Sequence, residues 1–319
     1  MKLRHSIMLG MLGPVSDRFH VYHPAQSLAQ RLAMVKQVHG ADGVEIVYPS
    51  EFSDPAATIR LVKESGLAVS AVNLNLKSQK RWENGSFTAP DPAIRTAAVG
   101  ELRTALDLAA ELGAPMVSCC PLIDGHNYSF EVDYLKQWHW LEEGLSEGAR
   151  HRADVRLSLE YKANESRNFN ILPDLGRSLY LCERLGLAHV GITVDFGHAL
   201  IAKEAPAEVT VMAAQVGRLF YLHLNDNTRD WDWDMLPGAV NLWDLLEVMF
   251  YLHRLDWQGW VSYDVVARGG NLVQEMSASI AMVELARALV EKIGPARLQA
   301  CIADKAPGET LVELMRALL

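Results

Sequence analysis

Eight short apolar runs recur along the chain, separated by longer stretches of helical periodicity. They are Ile7–Leu9, Val44–Val47, Val69–Asn73, Met116–Cys119, Val155–Glu160, Gly191–Asp195, Phe220–Leu224 and Trp260–Asp264. The runs are nearly continuous in apolar residues rather than alternating, as in parallel strands covered on both faces. Between them, Ser27–Val38 and Pro92–Leu112 are amphipathic. The second opens with Asp91 as N-cap and Pro92 at the first helical position, and closes at Gly113. Gly66, Gly113, Gly186 and Gly259 each stand just upstream of a run, so helix cap followed by strand is expected repeatedly. Eight such units without a linker in 319 residues predict an α/β fold, specifically a (β/α)₈ TIM barrel. An open doubly wound sheet is the alternative, but no GxGxxG follows an early strand.

The barrel is expected over residues 1–273. Residues 274–319 are expected to form a helical C-terminal extension packing on the barrel or on a subunit partner. Its last part carries a stripe of Leu311, Val312, Leu314, Met315, Leu318 and Leu319. The polar segment Leu76–Pro92 follows the third strand and should lie over the barrel mouth. A net charge of −9 with no Lys/Arg-rich block argues against nucleic acid as a partner. No run of 18 apolar residues suggests a membrane span, and Gly13-Pro14 interrupts the N-terminus too soon for a signal peptide. The four cysteines have no CxxC spacing, so buried reduced thiols are expected rather than a zinc site or disulfides. Together these features suggest a soluble cytoplasmic protein.

The chemistry lies in where the acids fall. Glu160, Asp195 and Asp264 end three runs, and His223 lies late in a fourth. Four consecutive strands thus each offer a metal-capable side chain at the C-terminal end, where barrel active sites assemble. One such acid is commonly just the N-cap of the next helix; four in series with a histidine point to a cation. Three carboxylates and an imidazole suit Mn²⁺, Mg²⁺ or Co²⁺. His198 follows Asp195 by three residues, and Asp230, Asp232 and Asp234 alternate with Trp231 and Trp233 after the seventh run. Tryptophans in such a loop suggest that it folds against the body. An Asp-x-Asp pair can send both carboxylates to one ion, so two divalent cations sharing Asp195 is the economical arrangement. Spacing alone leaves open whether Asp230 and Asp232, or Asp232 and Asp234, form that pair. Lys162, two residues beyond Glu160, is placed to reach a substrate oxygen or is simply a surface lysine.

The set Glu160-x-Lys162, Asp195-x-x-His198, His223, the following Asp-x-Asp and Asp264 resembles the metal-site pattern of the xylose isomerase-like TIM-barrel superfamily. It is most similar to the two-metal sugar isomerases of the L-rhamnose and xylose isomerase type. The matching motifs span Glu160 to Asp264; the N-terminal half fits the strand plan without a motif of its own. The resemblance implies that Glu160, Asp195, His223 and Asp264 hold one ion, and that Asp195, His198, Asp232 and Asp234 hold the second. Asp232 and Asp234 are preferred over Asp230 because Met235-Leu236-Pro237-Gly238 follows at the family's distance. Lys162, Asp232 and His198 are the implied catalytic residues. Lys162, His223 and Trp82 are expected at the sugar, with Trp231 and Trp233 as further stacking candidates. The implied reaction is aldose–ketose isomerisation of an open-chain monosaccharide by a metal-assisted 1,2-hydride shift, in a homodimer or homotetramer. Its nearest rival is a single-metal ketose 3-epimerase or hydroxypyruvate-type isomerase working by proton transfer. A metal-dependent DNA-repair endonuclease on the same fold is disfavoured by the charge, and a non-catalytic barrel that has kept the ligands is the remaining rival.

Overall fold

A computed structural model describes residues 1–318. Eight parallel strands close into a barrel: β1 (Lys2–Met8), β2 (Gly43–Tyr48), β3 (Ala68–Leu74), β4 (Met116–Cys119), β5 (Arg156–Glu160), β6 (Val190–Asp195), β7 (Leu219–His223) and β8 (Gln258–Tyr263). Each pairs with its neighbours in sequence, and β1 closes on β8 with Ile7 opposite Tyr263. The chain therefore has the (β/α)₈ fold expected from its eight runs. β1 begins five residues earlier than its apolar run because Lys2, Arg4 and His5 also pair with β8. Polar residues are tolerated there: the Arg4 guanidinium lies 3.7 Å over the Trp260 ring.

The helices follow their caps. α1 (Leu28–Val35) starts with a Ser27/Gln30 capping box, and α2 (Pro55–Ser65) is capped by Asp54 and ends at left-handed Gly66. α3 (Pro92–Leu112) is capped by the Asp91 side chain and ends at left-handed Gly113, as its sequence predicts. α4 covers Tyr134–Ala149, and α5 (Leu175–Leu185) ends at left-handed Gly186. The short α6 (Phe196–Ile201) and α7 (Pro206–Gln215) lead to β7, and α8 (Leu242–Arg254) leads to β8. Gly259 is not a cap. It lies inside β8, where an added Cβ would sit 2.5 Å from the Trp257 ring, so close packing excludes a side chain.

α9 (Leu272–Ile293) is the eighth barrel helix, packed on α8 and β8. It runs across the boundary expected at 273/274, so the extension proper is α10 (Pro295–Ala303) and α11 (Pro307–Leu318). These two pack on α9 and on each other. Of the expected stripe, Leu314 is buried, while Leu311, Val312, Met315 and Leu318 are about half exposed; Leu319 lies outside the described residues. Among the described residues no helix is long and apolar enough to cross a membrane. All four cysteines are free.

Candidate metal centre and active site

Strand alternation builds the site in two layers. In a strand, residues two apart share a face. Ser158, Thr193, Tyr221 and Ser262 are fully buried in the barrel, with Ser158 Oγ 2.7 Å from Thr193 Oγ1. Two residues further along the same four strands stand Glu160, Asp195, His223 and Asp264, at the mouth end. Glu160, Asp195 and His223 each offer a ligand atom, and these atoms lie within 4.8 Å of one another. Nδ1 of His223 is 3.5 Å from Glu160 Oε1 and 3.8 Å from Asp195 Oδ2.

A second group adjoins the first. Asp195 caps α6 by accepting the His198 N–H at 2.8 Å, so the commonplace role of an acid after a strand and a place in the cluster coincide in one residue. This cap turns His198 back over the mouth, with Nδ1 3.1 Å from Glu160 Oε1 and Nε2 3.1 Å from Asp232 Oδ2. Asp232 Oδ2 also accepts from Lys162 Nζ at 2.6 Å. Asn225 Nδ2 spans Asp195 Oδ2 at 3.1 Å and Asp234 Oδ1 at 3.4 Å. Seven side chains expected at the ions are thus brought together, with Lys162 beside them.

The aspartate loop owes its shape to Asp226. That buried carboxylate accepts the backbone N–H of Asn227 at 2.8 Å, of Val240 at 2.8 Å and of Asn241 at 2.9 Å. The Met235 N–H returns to the Asp226 carbonyl, and the Val266 N–H binds the Asp234 carbonyl, both at 2.8 Å. Pinned at both ends, the loop turns Asp232 and Asp234 inward and leaves Asp230 exposed against Thr228. The loop folds against the body, as its tryptophans suggest, although Trp231 and Trp233 themselves remain 45% and 41% exposed.

Electrostatics mark this cluster as short of positive charge. Burial, with Asp195 and Glu160 beside it, pushes Asp264 up to about 7 against the pull of His223. Burial, followed by Asp264, Asp232 and Asp195, holds Asp234 well above the usual carboxylate range. Burial disfavours an imidazolium at His198, yet Asp195 and Asp232 overcome it and hold the ring well above its ordinary value. His223 is raised likewise, by Glu45 and Glu160 against burial. Burial also opposes the Lys162 charge, but Asp232 and Glu165 keep the ammonium firmly protonated. His198 Nδ1, both ring nitrogens of His223, Asp232 Oδ1 and Asp264 Oδ1 are buried without a hydrogen-bond partner. A cation among these ring nitrogens and carboxylate oxygens would satisfy them. A hard divalent cation fits carboxylates and imidazoles so arranged.

A cavity of about 370 Å³ opens above the cluster, lined by Glu160, Lys162, His198, Asp232, Asp234 and Asp264. Met8, Met11, Ser50, Asn73, Asn75, Lys77, Cys120 and Glu165 also line it. Two residues expected at the sugar lie outside this lining. His223 is fully buried beneath the cavity and does not line it. Trp82 is fully buried among core side chains: the segment after β3 folds Trp82 and Phe87 into the core. That segment is anchored by Asp124, which accepts from the backbone N–H groups of Ser86 and Thr88. No sequence motif assigns a role to Glu45, Glu165, Asn225 or Asp226, which the structure places at or beside the cluster. Glu45 did carry a signal, a lone acid inside the apolar run Val44-Glu45-Ile46-Val47.

The family model for the xylose isomerase-like TIM barrel matches residues 32–289. Xylose isomerase from Thermus thermophilus is 28% identical over 261 residues, which cover 79% of this chain and 67% of that enzyme. The apo structure of 3-keto-D-glucoside 4-epimerase from E. coli superposes with a TM-score of 0.69 at 17% identity, covering 89% of this chain and 100% of that one. L-ribulose 3-epimerase superposes with a TM-score of 0.69 at 20% identity, covering 91% and 95%.

Proposed function

The chain belongs to the xylose isomerase-like TIM-barrel family, and from that premise we propose that it is a divalent-metal-dependent aldose–ketose isomerase acting on an open-chain monosaccharide. The observation that carries this reading is the inward turn of Asp232 and Asp234 beside Asp195 and His198. It supports two sets of ligands sharing one carboxylate: Glu160, Asp195, His223 and Asp264, then Asp195, His198, Asp232 and Asp234. Mn²⁺ suits both, with Mg²⁺ and Co²⁺ as substitutes. The similarity to a xylose isomerase over most of the chain agrees.

When bound, the cations would polarise adjacent sugar oxygens as Lewis acids. In the isomerisation a hydride passes from C2 to C1 of the aldose, while a proton leaves O2 and returns to O1. Lys162, kept charged at the cavity wall, donates to the oxygen on which negative charge develops. We assign Asp232, whose Oδ1 has no hydrogen-bond partner, to hold the proton in transit, with His198 orienting it from 3.1 Å at Oδ2. The half-exposed apolar residues of α11 suit a subunit contact in a homodimer or homotetramer.

A second reading is favoured by the tightness of the Glu160–Asp195–His223 group: one cation, and proton-transfer epimerisation of a ketose. A panel of aldoses and ketoses, incubated with Mn²⁺ and read by product identity, separates the two. Aldose–ketose interconversion, abolished by a chelator and restored by Mn²⁺ or Co²⁺, is the expected result. A ketose-to-ketose product supports the second reading, and chelator-insensitive turnover of any aldose overturns both.

A further inference from the structure

Below the proposed cation site lies an acid that the reading above does not use. Glu45, on β2, is fully buried inside the barrel. Its Oε1 accepts from Ser118 Oγ at 2.6 Å and from Asn73 Nδ2 at 3.1 Å. Its Oε2 accepts from the Tyr221 hydroxyl at 2.9 Å and lies 3.1 Å from His223 Nε2. The Tyr221 hydroxyl is itself 2.7 Å from Ser70 Oγ, which lies 2.6 Å from Ser6 Oγ. The carboxylate is therefore held at three points by groups that offer hydrogens, and a group so surrounded is an acceptor only.

We infer that Glu45 is a positioning residue that fixes His223 with its proton on Nε2, leaving Nδ1 as the only nitrogen free for a cation. An imidazole carries one proton when neutral, and its second nitrogen is then a lone-pair donor. Nε2 faces Glu45, while Nδ1 faces Glu160 and Asp195. Only the Nε2–H tautomer turns an N–H toward the Glu45 carboxylate, 3.1 Å away, and a lone pair toward those two carboxylates. Such a partner also makes the ring a stronger donor and holds its plane. The inference rests on the reading that this cluster holds a cation, though not on which sugar reaction follows.

The test begins with the unaltered protein. Nitrogen-15 NMR of histidine-labelled protein loaded with Mg²⁺ reads which His223 nitrogen carries the proton. Nε2–H with a metal-shifted Nδ1 is expected; a proton on Nδ1 overturns the inference. Glu45→Gln, which keeps the shape and loses the charge, should weaken Mn²⁺ binding about 10- to 100-fold by calorimetry. Tyr221→Phe, which removes a neighbour of Glu45 and leaves its charge, should weaken binding much less, and Glu45→Asp should recover part of the loss. Wild-type Mn²⁺ affinity in a folded Glu45→Gln protein overturns the inference. A wild-type protein that binds Mn²⁺ and shows this tautomer yet isomerises no sugar overturns the proposed function alone.

Discussion

Lys162 Nζ lies 2.6 Å from Asp232 Oδ2, so the residue two places past Glu160 is tied directly to the loop that follows the seventh strand. The contact joins the element that carries the proposed partner of the substrate oxygen to the element that would complete the proposed second ligand set. Lys162→Met removes the ammonium and keeps most of the stem. Bound metal measured by atomic emission should stay at the wild-type level, while turnover falls on the order of 10²–10³-fold, the usual cost of losing one preorganised donor. Metal loss in parallel with activity would instead make Lys162 a structural support of Asp232.

The loop predicts a graded response of its three aspartates. Asp232 and Asp234 face the cluster, whereas Asp230 is exposed and accepts from Thr228. Asp232→Asn and Asp234→Asn should each lower turnover at least about 100-fold with far smaller changes in sugar KM. Asp230→Asn should leave stability and kcat close to wild type, as for an exposed surface change. Steady-state kinetics at saturating Mn²⁺ decide this; a damaging Asp230→Asn beside a neutral Asp234→Asn would shift the pair by two residues.

The barrel was legible because parallel strands buried on both faces leave uninterrupted apolar runs, and because Gly66, Gly113 and Gly186 mark left-handed helix ends. The acids at the mouth were legible for the same reason, since each ends a run that could otherwise have stayed apolar. What stayed hidden depends on contacts between distant segments. Glu45 meets His223 across 178 positions of sequence by subtraction of their numbers, and no local pattern records such a pairing. Trp82 sits in a polar stretch that looks like a solvent-facing lid, yet Asp124 folds that stretch back and drives the ring into the core. Trp231 and Trp233 stay half exposed in a loop that is otherwise pinned to the body, because Asp232 between them and Asp234 after them take the inward positions.

Cation loading should expel protons. Burial and neighbouring carboxylates hold Asp264 up to about 7 and Asp234 well above the usual range, and the carboxylates around His198 and His223 hold both rings raised against burial. A raised pKa means that the metal-free fold keeps these protons at pH values where a free carboxyl, near 4, or a free imidazole, near 6.5, has begun to lose them. A cation takes the lone pairs those protons occupy, so affinity should fall as pH drops from about 8 to 6. Calorimetric titration of Mn²⁺ at pH 6.5 in two buffers of different ionisation enthalpy should report about one or more protons released per protein. Zero release, or tighter binding at lower pH, would contradict the proton inventory of this cluster.

Trp82 should matter for the fold rather than for the sugar. Its ring is completely buried, and the Arg81 guanidinium lies 4.3 Å from its centroid. Its indole N–H is buried without a hydrogen-bond partner. Trp82→Ala leaves a cavity the size of the ring and should cost about 3–5 kcal/mol in chemical denaturation. Trp82→Phe fills most of that volume and removes the unpartnered donor, so it should cost far less and leave sugar KM unchanged. Trp231→Ala and Trp233→Ala, at half-exposed positions, should cost under about 1 kcal/mol each. A Trp82→Phe protein of wild-type stability whose KM rises tenfold would restore the ring to the sugar and overturn its assignment to the core.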